Sequence, residues 1–241
     1  MRDSLRTKEH WDNMIRYMNR KIEWSKETTV ELIEEKSKKG EDISDVIKMG
    51  CLSETSFYMS LISSLYSSGA PIDEIKTLFP SALGTFSKSW SEESGYINFI
   101  WLVSIGVMID VPLEMIQELE RLTVENDYND YLLDFLFRGA DPSWKKQHDT
   151  FQSPIPYKFL SSVIEAKTKD ESSRLLKEYL DTVWYKGHND EDWHNSHKNK
   201  KSFYKGYWSY ESGAIAKILK LDDAGWESMK YYPYDMVHYN G

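Results

Sequence analysis

The sequence predicts an all-α protein, a bundle of about nine or ten helices with helical-repeat-like pairing left open. Apolar residues recur at three- and four-residue steps along most of the chain, and no segment alternates between turn signals as a strand would. Glycine and proline fall between the periodic runs, as at Gly69 and Pro71 and again at Gly139 and Pro142. The stretch Pro71-Ile72-Asp73-Glu74-Ile75 with Leu78 is echoed by Pro112-Leu113-Glu114-Met115-Ile116 with Leu119, a spacing of about 40 residues that suits a repeated helical pair.

The elements follow in order. Trp11, Ile15, Met18 and Ile22 mark one face of a long first helix that extends toward Leu32 and Ile33. Lys36 to Gly40 (KSKKG) ends it, with basic side chains in the last turn and then glycine. Asp42 or Ser44 can cap a second helix whose face runs Ile47, Cys51, Tyr58, Leu61, Ile62, Leu65. Helices begin at each echoed proline, where a missing N–H is harmless and acids suit the dipole. Residues 129–138 form a short helix, and the proline-rich stretch 141–159 is the expected boundary between halves. Leu160–Ala166 and Ser173–Tyr185 read as further helices, 186–203 as a polar connector, and 204–223 as a helix. That helix would carry Tyr207, Trp208, Ala214, Ile215 and Ile218 on one face with Glu211 among them. Asp222 or Asp223 would cap a last short helix over 224–229, before a tail.

Composition narrows the function. The 241 residues carry 30 Lys+Arg against 39 Asp+Glu, a net charge of −9, which argues against nucleic acid as a direct ligand and suits a basic partner. A single cysteine, Cys51, rules out an intrachain disulfide and a cysteine-based zinc site, and its apolar setting suggests a buried thiol. The opening MRDSLRTKEHWDNMIRYMNRK lacks the apolar core of a signal peptide, and the longest apolar run, FIWLVSIGVMI at 99–109, is too short to span a bilayer. The expectation is a cytoplasmic protein with no membrane contact. The high aromatic content leaves a homodimer open.

Chemistry has few candidates. His188, His194 and His197, with Asp190, Glu191 and Asp192 between them, hold the residue types of a divalent metal site, but the spacing fits no helical metal motif. No phosphate-binding glycine loop and no G-x-S-x-G nucleophile motif occurs, so no cofactor, metal or catalytic residue is assigned. Glu211 could serve as an acid beside His194, His197, Glu54 or Asp222, or as a polar pin held by tyrosine, indole, imidazole or lysine donors. The pin is favoured because it needs only donors. A metal-dependent hydrolase built on the three histidines and a generic helical scaffold are the competing readings.

The C-terminal residues form a recognisable pattern. Trp193-His194-Asn195-Ser196-His197-Lys198 precedes Tyr204-Lys205-Gly206-Tyr207-Trp208-Ser209-Tyr210-Glu211. Ala214, Ala216-Lys217-Ile218-Leu219, Leu221-Asp222-Asp223 and Tyr231-Tyr232-Pro233-Tyr234-Asp235-Met236 follow. Together with the Arg2-Asp3 opening, this resembles the PoNi immunity proteins, helical bacterial proteins with paired DUF1910 and DUF1911 regions. The resemblance implies a DUF1910-like region over 1–140 and a DUF1911-like region over 150–241, packed as one body. It also implies a non-enzymatic protein that binds and neutralises a PoNe-type DNase toxin, of the kind delivered between competing bacteria, often by type VI secretion. Trp193, His197, Tyr207, Trp208, Glu211, Asp222, Asp223, Tyr232 and Pro233 would be its structural signature. Ser212 and Gly213 depart from the alanine expected there. Two acidic stretches are the expected contact surfaces for a basic toxin: Asp190-Glu191-Asp192 with Trp193, and Glu125, Asp127 and Asp130.

Overall fold

The structure is a computed structural model that describes residues 1–91, 95–199 and 203–240. Its described residues are helical or irregular, with no strand. They divide into two compact units, Met1–Asn98 and Phe99–Gly241. Residues 200–202 of the expected polar connector lie outside the described residues.

The first unit is built on three helices: α1 (Lys8–Lys38), α2 (Ser44–Ser68) and α3 (Ile72–Ser89). The Thr7 hydroxyl caps α1 by accepting the His10 N–H at 3.3 Å. The expected cap of α2 is corrected: Ile43 holds the cap position without a side-chain bond, and Asp42 before it accepts the Ser44 N–H at 2.9 Å, while Gly69, at φ +91°, ends the helix in the left-handed conformation. Arg2 binds the Tyr66 and Ala70 carbonyls at 3.1 and 2.8 Å, which places a cation at the negative end of α2. Pro71 occupies the cap position of α3, as Pro112 does for the next unit's second helix. Both prolines therefore sit one residue before the helix and not inside its first turn.

The buried face of α1 is Trp11, Met14, Met18, Ile22 and Ser25. Met14 takes the place expected for Ile15, which is half-buried. Past Ser25 no residue of α1 is buried, and α2 contributes its first buried residue only at Glu54. Residues 26–53 are therefore a two-helix arm without a core of its own. Cys51 lies on that arm and is only half-buried, so the expected buried thiol is corrected.

Helix α4 (Tyr96–Met108), in the second unit from Phe99 on, is apolar all round, and Phe99, Ile100, Leu102, Val103, Ile105 and Met108 are fully buried. A helix of that kind belongs in a protein core, and no described helix is long and apolar enough to cross a membrane. Helices α5 (Leu113–Glu125) and α6 (Tyr131–Ala140) follow. The Asp134 carboxylate of α6 receives the Trp144 indole N–H at 3.0 Å and the His148 backbone N–H at 2.8 Å, which ties down the stretch after the helix. Short helices α7 (Pro154–Tyr157) and α8 (Phe159–Ile164) lead to α9 (Lys169–Glu178), capped by Thr168. The same rod continues as a π-helical segment, Tyr179–Trp184, and a last turn, α10 (Tyr185–Gly187). A 3-10 turn at Ser196–Lys198 follows, and then α11 (Tyr210–Leu219) and α12 (Tyr234–Val237).

Two expected elements are corrected. The helix of Glu211 starts at Tyr210, because Gly206 (φ +97°) breaks the preceding chain and the Ser209 N–H bonds the Tyr231 carbonyl at 2.8 Å. Tyr207 and Trp208 therefore lie before the helix. Residues 224–229 form turns around Gly225 (φ +81°), and the last helix forms instead in the expected tail.

Candidate functional site

Glu211 enters the interior on the first turn of α11 and has no solvent exposure. The Ser209 hydroxyl donates to its Oε1 at 2.6 Å and the Tyr179 hydroxyl to the same oxygen at 3.2 Å. Ser209 has one proton and spends it on Glu211, so the 2.6 Å contact with Ser212 is a bond that Ser212 donates. The serine that departs from the expected alanine at 212 thus steadies the donor of the buried carboxyl. The Trp184 indole N–H approaches the carboxyl closely enough to favour its charge, yet neither that N–H nor Oε2 completes a hydrogen bond. Burial dominates and raises the Glu211 pKa to about 7, against the opposing pull of Ser209 and Tyr179.

The π segment explains how Tyr179 and Trp184 reach one carboxyl. Five residues apart on an α-helix, they would point about 140° away from each other. The wider i→i+5 winding brings them back toward a common face. Trp184 also stacks on Trp193, centroids 5.6 Å apart, and packs on Tyr231 at 4.8 Å.

The three histidines each pack on aromatic side chains, His188 buried and His194 and His197 half-buried. His188 is buried, with Nδ1 at 2.6 Å from the Trp184 carbonyl and Nε2 at 3.0 Å from the Tyr157 hydroxyl. A carbonyl only accepts, so Nδ1 carries the proton and Nε2 receives one from Tyr157. Burial lowers the His188 pKa to about 4 and keeps the ring neutral. His194 packs on Tyr185 at 4.3 Å and faces the Asn195 amide, while His197 Nδ1 lies 2.9 Å from the Tyr207 hydroxyl. Among the described residues no group of three His, Cys, Asp or Glu could hold a metal ion.

Asp223 is buried and accepts the Tyr232 hydroxyl at 2.6 Å, with His238 Nε2 at 3.0 Å from both its oxygens. Asp222 is exposed and accepts the Ala224 N–H at 3.1 Å. Trp208 and Pro233 are buried. A Cβ at Gly213 would lie 2.5 Å from both Met108 Sδ and Pro233 Cγ, so the alanine expected there has no room.

The expected contact residues divide by exposure. Asp190 and Asp192 face solvent, while Glu191 is half-buried, with a pKa raised by burial and then by its two acidic neighbours. Lys205 lies close enough to offset part of that repulsion. Trp193 is only 8% exposed and belongs to the interior. Glu125 is exposed and paired with Arg121, and Asp127 is exposed at φ +48°. Asp130 is buried: its Oδ1 caps α6 through the Leu132 and Leu133 N–H groups, each at 2.9 Å. Tyr157, Tyr179 and Trp184 went unnoticed in the sequence, and Ser209 and Ser212 were noticed without their role as partners of Glu211. Only Ser209, two residues before the acid at a helix start, carried a readable hint.

No curated protein matches the chain. Among solved structures it resembles the crystal structure of Protein PA2201 from Pseudomonas aeruginosa, with a TM-score of 0.59 and 18% identity over 80% of this chain and 74% of that one, a likeness of fold. The family profile described as PoNe immunity protein (PoNi), N-terminal, matches residues 2–121, and the one described as PoNe immunity proteins (PoNi), C-terminal, matches 128–236. With both regions present in order, and the interior of the second assembled from the residues that carry the resemblance, the chain belongs to the PoNi family of immunity proteins.

Proposed function

We propose that this protein protects a bacterium by binding a PoNe-type DNase toxin in the cytoplasm and holding it inactive. The observation that carries the reading is the family match along nearly the whole chain. Membership implies a cognate toxin as partner and a non-enzymatic role. The interior is consistent with that role. Glu211 lies where no substrate can touch it, and a general acid must reach the atom it protonates.

A DNase needs a basic surface for phosphates, and a protein of net charge −9 is drawn to such a surface. Asp190 and Asp192, with Glu125 and Asp127, supply exposed carboxylates in the second unit that can steer the encounter. Delivery of the toxin by a type VI system fits the same reading, as does one-to-one binding.

The test is co-expression with the candidate DNase encoded beside this gene, scoring survival and co-purification. The expected result is rescue together with a stable complex. Death of the host with the protein folded and abundant sinks the reading.

A further inference from the structure

We propose that the groove along the α1–α2 arm, floored at Gly50 and walled by Trp24, Leu32, Val46 and Met49, docks a basic amphipathic segment of the toxin. The inference rests on the immunity reading and assigns its anchoring surface.

The arm is a structure without an interior. Residues 26–53 bury nothing fully, yet Trp24 is 54% exposed, Leu32 42% and Met49 59%. Isolated exposed apolar side chains are ordinary, but these converge on one open groove of about 340 Å³. The two helices touch closely at its floor, where a Cβ on Gly50 would stand 2.3 Å from Thr29 Oγ1. Such a groove suits one or two apolar side chains from a helix laid along it.

Charge names the partner. Glu23, Glu27 and Glu31 repeat at four-residue steps and form one exposed row on α1, outside the groove on the far side of Trp24. Among the described residues none of the three has an ion pair, whereas Lys36, Lys38 and Lys39 at the tip are paired with Glu41, Glu34 and Glu35. Asp45 adds a carboxylate on the α2 wall. The Trp24 ring already takes a cation, with Lys21 Nζ 4.3 Å from its centre. A lysine- or arginine-bearing segment meets apolar walls, a cation-tolerant ring and Asp45 within the groove, with the acidic row just beyond its Trp24 edge. A second copy would bring the same acidic row with it, so a symmetric pairing gains nothing from charge.

The test measures binding of the full-length protein to a catalytically inactive form of the neighbouring DNase. Leu32→Glu with Met49→Glu should speed dissociation about 100-fold and abolish protection, with the melting temperature unchanged. Glu23→Lys with Glu27→Lys and Glu31→Lys, all on exposed positions, should slow association about 10-fold and flatten its salt dependence. Wild-type protection together with wild-type kinetics in both variants overturns the groove and leaves the immunity reading standing. A wild type that neither binds nor protects overturns both. If the apolar variant instead splits a wild-type dimer while toxin binding persists, the occupant is a second copy and the proposal fails.

Discussion

The interior around α11 and the α1–α2 arm use the same residue types to opposite ends. At α11 a glutamate has no exposure and is held by a tyrosine, a serine and the edge of a tryptophan. On the arm, glutamates stand in water beside a tryptophan that is more than half exposed. The first arrangement constrains every neighbour, because each loss leaves a buried donor or a void. The second constrains almost nothing in the fold, so its side chains are free to answer to a partner.

The contrast can be broken by stability measurements. Trp184→Ala should be the most damaging change, about 3–5 kcal/mol by calorimetry or denaturant titration, since the ring is fully buried and stacked. Glu211→Ala should follow at about 1–3 kcal/mol, because Ser209 and Tyr179 lose their acceptor. Gly213→Ala should cost about 1 kcal/mol, with the clash against Met108 and Pro233 partly offset by better helix propensity. Leu32→Glu alone should stay within about 0.5 kcal/mol of wild type. An arm substitution as costly as a core one would show that the arm has an interior after all.

Glu211→Gln sharpens the same point through pH. The folded protein holds this carboxyl at about 7, above its ordinary 4.5, so the folded state binds the extra proton between those values. The contribution of Glu211 is full below about pH 4.5 and is lost as pH rises through 7. Relative to wild type, Glu211→Gln should therefore gain stability from pH 5 to pH 8, by up to about 3 kcal/mol. His188 runs the other way, since a pKa lowered to about 4 makes its contribution fade as pH falls. For that reason the difference between variant and wild type is the quantity to follow. A difference flat across that range would mean that Glu211 is charged throughout.

Most of the fold was legible because the caps and breaks are local. KSKKG and Gly69 act within a turn and end their helices as their chemistry predicts, while Asp42 and the two prolines mark helix starts to within a residue or two. The misreadings came from long-range bonds. Tyr207 and Trp208 share the helical period of α11, but the bond from Ser209 to Tyr231, 22 residues on by number, holds them outside it. Asp130 and Trp193 look like an acid and an anchor on a surface, and only tertiary packing turns them into a cap and a core ring. The arm was legible as two helices but not as a coreless pair, since Trp24, Leu32 and Met49 fit an apolar face whether or not anything covers it.

The π segment at Tyr179–Trp184 has a consequence for descent as well as for packing. A single inserted residue is the simplest origin of such a bulge, and a single deletion would erase it. The deletion would turn everything beyond it by about 100° around the rod. Trp184 and His188 would leave their places, and Glu211 would face a wall of different residues. Within this lineage that stretch should tolerate changes of side chain far better than changes of length, and an alignment that closes the gap across it would pair the wrong tryptophans.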